Sequence, residues 1–173
     1  VAGKMLGVVG LGRIGIAVAK RALALEMKVL GFDPFLSRER AHELGIELVD
    51  TVAAMLPRVD YLTVHTPLTE QTKNILSRAN LMKTRKGVRI TNCARGGLVD
   101  EAAVRDLLES GHLAGAAFDV FAVEPAKDNV LFGSKNFVAT PHLGAATIEA
   151  QENVALQVAE QMADYILTGA VTN

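Results

Sequence analysis

The feature that most constrains the fold is a glycine-rich turn near the start of the chain, Gly10-Leu11-Gly12-Arg13-Ile14-Gly15. The turn has the spacing G-x-G-x-x-G, follows the apolar run Met5–Val9 and precedes a stretch with helical periodicity. A strand that turns tightly into a helix is the first half of a βαβ unit, whose second strand lies parallel to the first. We therefore predict that Met5–Val9 is a buried strand of a parallel sheet.

Each glycine of this turn has a separate expected role. Gly10 permits the tight turn, Gly12 leaves room for a pyrophosphate beside the backbone, and Gly15 lets the helix pack closely on the strand. The N-terminus of that helix offers free N–H groups and a partial positive charge to phosphates. The turn therefore predicts a dinucleotide-binding site, and a glycine-rich turn without a ligand is the alternative.

A second apolar run, Lys28–Phe32, ends in Asp33, eighteen residues after Gly15. A carboxylate at about this distance accepts hydrogen bonds from the adenosine ribose hydroxyls and would repel a 2′-phosphate. The sequence therefore favours NAD over NADP. A turn-forming aspartate before Pro34 is the alternative interpretation.

Strand-like and helix-like segments alternate along the rest of the chain, which predicts right-handed βαβ units. We expect an α/β fold with a doubly wound parallel sheet, Rossmann-like and NAD(P)-binding, in three αβα layers and with strand order 3-2-1-4-5-6 and a seventh strand at an edge. The predicted strands are Met5–Val9, Lys28–Phe32, Ile46–Val49, Tyr61–His65, Val88–Asn92, Ala114–Val120 and Phe137–Thr140. The predicted helices are Ile14–Leu25, Arg38–Leu44, Val52–Leu56, Arg78–Met82, Glu101–Glu109 and a last helix that Thr147 caps and that runs to about Leu167.

The composition argues against several kinds of partner. The 173 residues include 18 Lys or Arg and 19 Asp or Glu, so a net charge of −1 favours neither nucleic acid nor a membrane surface. No apolar stretch reaches the roughly 18 residues of a transmembrane helix. The single cysteine, Cys93, cannot form an internal disulfide, and a reducing cytoplasm is the expected location. We expect no metal site.

Three polar residues near predicted strand ends are candidates for chemistry, because ligands bind outside the carboxyl ends of such strands. The guanidinium of Arg95, among glycines, could hold a carboxylate through two hydrogen bonds. His142 could exchange a proton near neutral pH, and the carboxylate of Glu124 would favour and orient its charged form. The alternatives are a surface arginine, a structural histidine and a loop acid.

Taken together, these segments closely resemble the nucleotide-binding domain of the D-isomer-specific 2-hydroxyacid dehydrogenases. The resemblance covers essentially the whole chain, and the stretch around Arg95 is its most specific part. It implies an oxidoreductase that transfers a hydride between NAD and a D-2-hydroxy acid. The matching segments are 10–15 with Asp33, 65–68, 92–101, 119–121 with Glu124 and Pro125, and 141–145.

The resemblance also implies roles for individual residues. Arg95 would bind the carboxylate and carbonyl groups of the substrate, His142 would take the hydroxyl proton during oxidation, and Glu124 would support the imidazolium. The cofactor-binding residues that the motifs and the resemblance indicate are Gly10, Gly12, Arg13, Ile14, Gly15, Asp33, Pro34, Thr66, Pro67, Thr72, Cys93, Ala94, Arg95, Asp119, His142, Gly144 and Ala145.

Family members have a second, substrate-binding domain built from both chain ends. We therefore expect residues 1–173 to be one NAD-binding domain, excised from a longer protein, that binds NAD but is poorly active or inactive alone. A homo-oligomer is also expected, with Ala102–Val120 and the last helix as candidate contact segments. The resemblance favours 3-phospho-D-glycerate as the 2-hydroxy acid, although most residues that select the substrate are expected in the second domain. Glyoxylate/hydroxypyruvate reductase or D-lactate dehydrogenase activity, or a non-catalytic NAD-sensing corepressor-like role, are alternatives.

Overall fold

The computed structural model describes residues 1–171 and divides into two compact units, Val1–Ala139 and the segment from Thr140 onward. The first unit holds the whole sheet, with β1 Met5–Val9, β2 Lys28–Phe32, β3 Glu47–Leu48, β4 Tyr61–Val64, β5 Val88–Asn92, β6 Leu113–Phe118 and β7 Phe137–Ala139. Its helices are α1 Arg13–Ala24, α2 Arg38–Glu43, α3 Val52–Met55, α4 Arg78–Leu81 and α5 Glu101–Glu109, with a 3₁₀ turn at Leu56–Arg58. The second unit contains α6, Ile148–Thr168.

The seven strands found within residues 1–171 are all parallel, in the order β3-β2-β1-β4-β5-β6-β7, which confirms the predicted doubly wound sheet. The chain reverses its direction of travel across the sheet between β1 and β4. A crevice forms at the carboxyl ends of the strands at such a switch point, and ligands bind there. The topology therefore places the glycine turn after β1 beside the loop after β4.

The core lies on both faces of the sheet because successive strand residues point to opposite sides. On β1, Leu6 and Val8 pack in a cluster with Ala19 and Ala22 of α1. Val9 belongs instead to the larger cluster on the other face, which includes the apolar residues of α3 and α5. Burial on both faces explains why β1 is a continuous apolar run.

The structure corrects several predicted bounds. The edge strand β3 has two residues instead of four, because it pairs only with Leu30 and Gly31 of β2. β4 ends at Val64, β6 runs from Leu113 to Phe118, and β7 ends at Ala139, whereas predicted helix ends differ by about one residue.

The candidate oligomer segment Ala102–Val120 contributes mainly to the chain's own core. Its buried apolar residues are Ala103, Val104, Leu107, Leu108, Leu113, Ala116, Phe118 and Val120. These side chains are therefore used for packing within the unit.

Candidate active site at the carboxyl ends of the strands

The glycine turn has the geometry that its three expected roles require. Gly10 has φ +94°, and a Cβ there would lie 2.8 Å from the carbonyl carbon and oxygen of His65. A Cβ at Gly15 would overlap the carbonyl oxygen of Gly10, so α1 packs directly against the turn. Nothing lies within 4 Å of the place a Cβ would take at Gly12. That side of the turn is open to an approaching pyrophosphate.

Asp33 lies against the glycine turn. Its Oδ2 accepts a hydrogen bond from the Leu11 N–H at 2.7 Å, and its Oδ1 accepts one from the Phe35 N–H at 2.8 Å. A carboxylate has about four acceptor positions, so capacity remains for ribose hydroxyls. Asp33 therefore joins the turn to the end of β2 and still can bind a ligand.

A cleft of about 430 Å³ opens at the ends of β4 and β5. Six of its seven lining residues are predicted cofactor-binding residues, and the seventh, His65, is not. The available sequence signal for His65 is its place directly after the strand that follows the switch point. The lining residues are Ile14, His65, Thr66, Pro67, Cys93, Ala94 and Arg95.

The Thr66 side chain tests whether this cleft fits a polar ligand. Its Oγ1 is buried and has no hydrogen-bond partner among the described residues. Leaving a buried hydroxyl unsatisfied costs about 1–3 kcal/mol. A bound group with a complementary polar atom would remove that cost, so the lining fits a cofactor such as a dinucleotide.

The turn that carries Arg95 is held by the buried amide of Asn92. Its Oδ1 accepts from the Ala94 N–H at 3.1 Å, and its Nδ2 donates to the Arg95 carbonyl oxygen at 3.0 Å. The Arg95 guanidinium donates to the Ala94 carbonyl oxygen at 2.6 Å and is exposed at the cleft. Sequence reasoning assigned no role to Asn92. The available signal is a polar residue at the end of β5, directly before the turn that carries Arg95.

Arg95 is the charged residue of the cleft lining. Burial lowers the pKa of His65, whose Nε2 lies 3.0 Å from the Thr63 Oγ1, and this favours a neutral imidazole. Burial raises the pKa of the Cys93 thiol, and the carboxylate of Asp119 raises it further, against an opposing backbone hydrogen bond at Asp119. Both groups are therefore uncharged near neutral pH, and an anionic ligand would meet the Arg95 cation.

The loop that carries Glu124 touches the Arg95 turn. Oε1 of Glu124 accepts from the Phe121 N–H at 3.0 Å. A Cβ at Gly96 would overlap the carbonyl oxygen of Phe121, so the two backbones are in close contact. The structure thus brings the segments of two predicted catalytic residues together.

Other predicted residues lie around this edge or in the second unit. The Thr72 hydroxyl donates to the Pro67 carbonyl oxygen at 2.6 Å and so closes the loop after β4. Arg13 and Pro34 are exposed beside the glycine turn and Asp33. The segment between β7 and α6 contains His142, with φ +55°, Gly144 and Ala145. The binding or catalytic roles of these residues stay predictions.

No helix within residues 1–171 is both long and apolar enough to cross a membrane. Over the same described residues, no group of three or more His, Cys, Asp or Glu side chains is placed to hold a metal ion.

Comparison with known proteins defines the class. The sequence model of the D-isomer specific 2-hydroxyacid dehydrogenase, NAD binding domain, matches residues 1–144. The chain belongs to this family, and NAD is its cofactor.

Two curated relatives share the name of one enzyme. The chain is 55% identical over 163 residues to the D-3-phosphoglycerate dehydrogenase of Bacillus subtilis, covering 94% of this chain and 31% of that protein. It is 48% identical over 160 residues to the same enzyme of Methanocaldococcus jannaschii, covering 92% and 30%. A solved Granulicella formate dehydrogenase superimposes with a TM-score of 0.89 at 28% identity, covering 99% of this chain and 46% of that one. The chain thus spans about a third of the length of these curated relatives.

Proposed function

We propose that the protein containing this chain oxidises a D-2-hydroxy acid with NAD, and that its substrate is 3-phospho-D-glycerate. The product would be 3-phosphohydroxypyruvate, and this oxidation would be a step of L-serine biosynthesis. The observation that carries the reaction class is the exposed Arg95 guanidinium in a cleft whose other lining residues are uncharged. Arg95 follows β5, which only β4 separates from β1 and its glycine turn. The names of the two relatives described above support the substrate.

Arg95 provides substrate binding in this proposal. A guanidinium holds a carboxylate through two parallel hydrogen bonds, which fixes both the position and the orientation of the acid. Asn92 fixes the backbone of the same turn from its buried position, so the base of the Arg95 side chain is held in place. Arg95 thereby presents the C2 atom of a bound 2-hydroxy acid toward the cofactor cleft.

His142 and Glu124 provide proton transfer. A ring nitrogen of the His142 imidazole takes the proton of the substrate hydroxyl, while the C2–H bond breaks with its electron pair and the C2 carbonyl forms. NAD, when bound, supplies the hydride chemistry. The carboxylate of Glu124 favours the imidazolium that results. The left-handed backbone of His142 supports a special role, because positive φ is uncommon for residues other than glycine.

The proposal includes the domain organisation expected from the family. Residues 1–173 form the NAD-binding domain, and a second domain of the same protein completes the substrate site. We expect residues 1–173 alone to bind NAD and to turn over substrate poorly. The protein would act in the cytoplasm, which the unpaired Cys93 favours, and would form a homo-oligomer through this domain.

The test is a substrate panel on the full-length protein. Formation of reduced nicotinamide is followed with 3-phospho-D-glycerate, D-lactate and D-glycerate, and we expect the highest kcat/KM with 3-phospho-D-glycerate. The variant His142→Ala should lower kcat by about 10²- to 10⁴-fold, a much larger effect than its change in the Kd of NAD. His42→Ala, on the exposed part of α2, is the matched control.

Three outcomes would contradict parts of the proposal. A preference for D-lactate would overturn the substrate and retain the reaction class. Binding of NAD without oxidation of any 2-hydroxy acid would favour the non-catalytic, NAD-sensing alternative. Full activity of residues 1–173 alone would refute the proposed division of labour between domains.

A further inference from the structure

One carboxylate outside the cleft lining holds the Glu124 loop. Glu101 is the first residue of α5, and its Oε1 accepts a hydrogen bond from the Ala122 N–H at 2.8 Å. Its Oε2 accepts from the side-chain amide of Asn129 at 2.7 Å. These donors lie on either side of Glu124, so one carboxylate closes both arms of the loop onto the start of α5.

The same region of α5 follows directly on the Arg95 turn. Only five residues separate Arg95 from Glu101 along the chain, and Asp100 fixes the start of the helix by accepting from the Ala103 N–H at 2.9 Å. The close backbone contact between Gly96 and Phe121 gives a second attachment. The position of the Glu124 loop is therefore fixed relative to the turn that carries Arg95.

The surroundings of Glu101 suit a carboxylate acceptor. A carboxylate in the first turn of a helix is stabilised by the helix dipole. Charged acceptors also make stronger hydrogen bonds to N–H donors than neutral ones do. Asn129 is fixed in turn, because its Oδ1 accepts from the N–H of Leu131, which is fully buried. The contact thus links the loop to the core as well as to the helix.

We propose that Glu101 is a positioning residue, which sets the place of Glu124 relative to Arg95 by clasping the loop between Ala122 and Asn129. This inference rests on the proposed dehydrogenase function. Glu101 would act on the reaction only through Glu124, because it holds the backbone on both sides of that residue. Loss of the clasp would let Glu124 shift and weaken its support of the catalytic imidazolium.

The test compares Glu101→Gln with the wild type in the full-length protein. The substituted amide can still accept from one donor, but not from both at full strength. We expect kcat/KM for the 2-hydroxy acid to fall roughly 10- to 100-fold, because misplacement of a catalytic group by about 1 Å has effects of this size. The Kd of NAD should stay within about twofold, since the glycine turn and Asp33 are untouched.

The pH profile separates positioning from a purely structural role. In the proposed mechanism Glu124 stabilises the charged form of the catalytic imidazole, and a displaced carboxylate would stabilise it less. The acidic limb of kcat/KM for oxidation should therefore move to lower pH in Glu101→Gln. A variant that is merely less stable would lose active protein without moving this limb.

A double variant restores the hydrogen bond between positions 101 and 129 with the donor and the acceptor exchanged. In Glu101→Gln combined with Asn129→Asp, the new amide donates to the new carboxylate, whose other oxygen can still accept from the Leu131 N–H. We expect this pair to recover kcat/KM to within about threefold of the wild type, together with its pH limb. Glu109→Gln, which makes the same charge change at the exposed far end of α5, is the control.

The outcomes separate the two proposals. An active wild type whose Glu101→Gln variant keeps both kcat/KM and the pH limb would overturn the positioning role alone. So would a double variant that recovers nothing while Asn129→Asp by itself is fully active. A wild type that oxidises no 2-hydroxy acid would overturn the proposed function, and the positioning role would fall with it.

Discussion

Replacing either of two glycines of the same turn by alanine should impair the protein, but in two different ways. At Gly15 a methyl group would overlap the carbonyl oxygen of Gly10, far inside the 3.0 Å that real Cβ contacts tolerate. At Gly12 the corresponding space is empty to 4 Å. We therefore expect Gly15→Ala to destabilise the fold and Gly12→Ala to weaken NAD binding.

The magnitude at Gly15 is a difference between two effects. Alanine in place of glycine favours a helix by about 1 kcal/mol. Against this, α1 must move outward by about 1 Å, which pulls Ala19 and Ala22 away from β1, and overpacking of this kind costs about 1–3 kcal/mol or more. Because the overlap is with backbone that cannot rotate away, we expect a net loss of about 2 kcal/mol. For a domain of this size that lowers Tm by about 4–8 °C.

Thermal unfolding followed by circular dichroism, with NAD titrated by calorimetry, measures both effects. Gly12→Ala should change stability by less than about 1 kcal/mol while raising the Kd of NAD at least roughly tenfold. A Gly15→Ala variant as stable as the wild type would refute the steric reasoning. A Gly12→Ala variant that binds NAD normally would refute the assignment of the open side of the turn to the pyrophosphate.

Three further predictions concern single side chains of the cleft and its edge. Asp33→Ala should raise the Kd of NAD roughly 10- to 100-fold, because it removes a charged acceptor, and an unchanged Kd in calorimetry would contradict this. Thr66→Val removes an unsatisfied hydroxyl, so the cofactor-free protein should be as stable as the wild type or up to about 1 kcal/mol more stable. The same variant should weaken NAD binding about threefold to tenfold. Lower stability without NAD would show that the hydroxyl has a partner. Burial lowers the pKa of His65 below the usual 6.5, so the unfolded chain binds the proton first and stability should fall as the pH drops from about 6.5 toward the lower folded-state value. Denaturant unfolding between pH 5 and 8 should show a shallower dependence for His65→Gln, and identical slopes would argue against the shift.

The sequence predicted the architecture well because alternation of strands and helices has few topological solutions. The continuous apolar run of β1 and the glycine spacing were enough to place the switch point of the sheet. The two-residue strand β3 was overestimated, since its length depends on pairing with β2 that periodicity does not reveal.

The candidate site was predictable only where a motif carries the chemistry. Asp33 and Arg95 stand at positions that spacing and strand ends indicate. Glu101 acts through contacts with a loop 21 and 28 residues away, and no local pattern marks such partners. His65 was left without a role, although the meeting of β1 and β4 ends brings it into the cleft.

The bond between Asp33 and the Leu11 N–H bears on how cofactor preference can change in proteins of this kind. A switch toward NADP needs the negative charge at this position removed, to admit a 2′-phosphate. Here the same carboxylate also anchors the backbone of the glycine turn, which is the proposed pyrophosphate site. A side chain at position 33 that cannot accept a hydrogen bond would admit the 2′-phosphate but would also release the glycine turn. Cofactor engineering at Asp33 therefore has to supply a neutral side-chain oxygen, such as that of serine or asparagine, within reach of the Leu11 N–H.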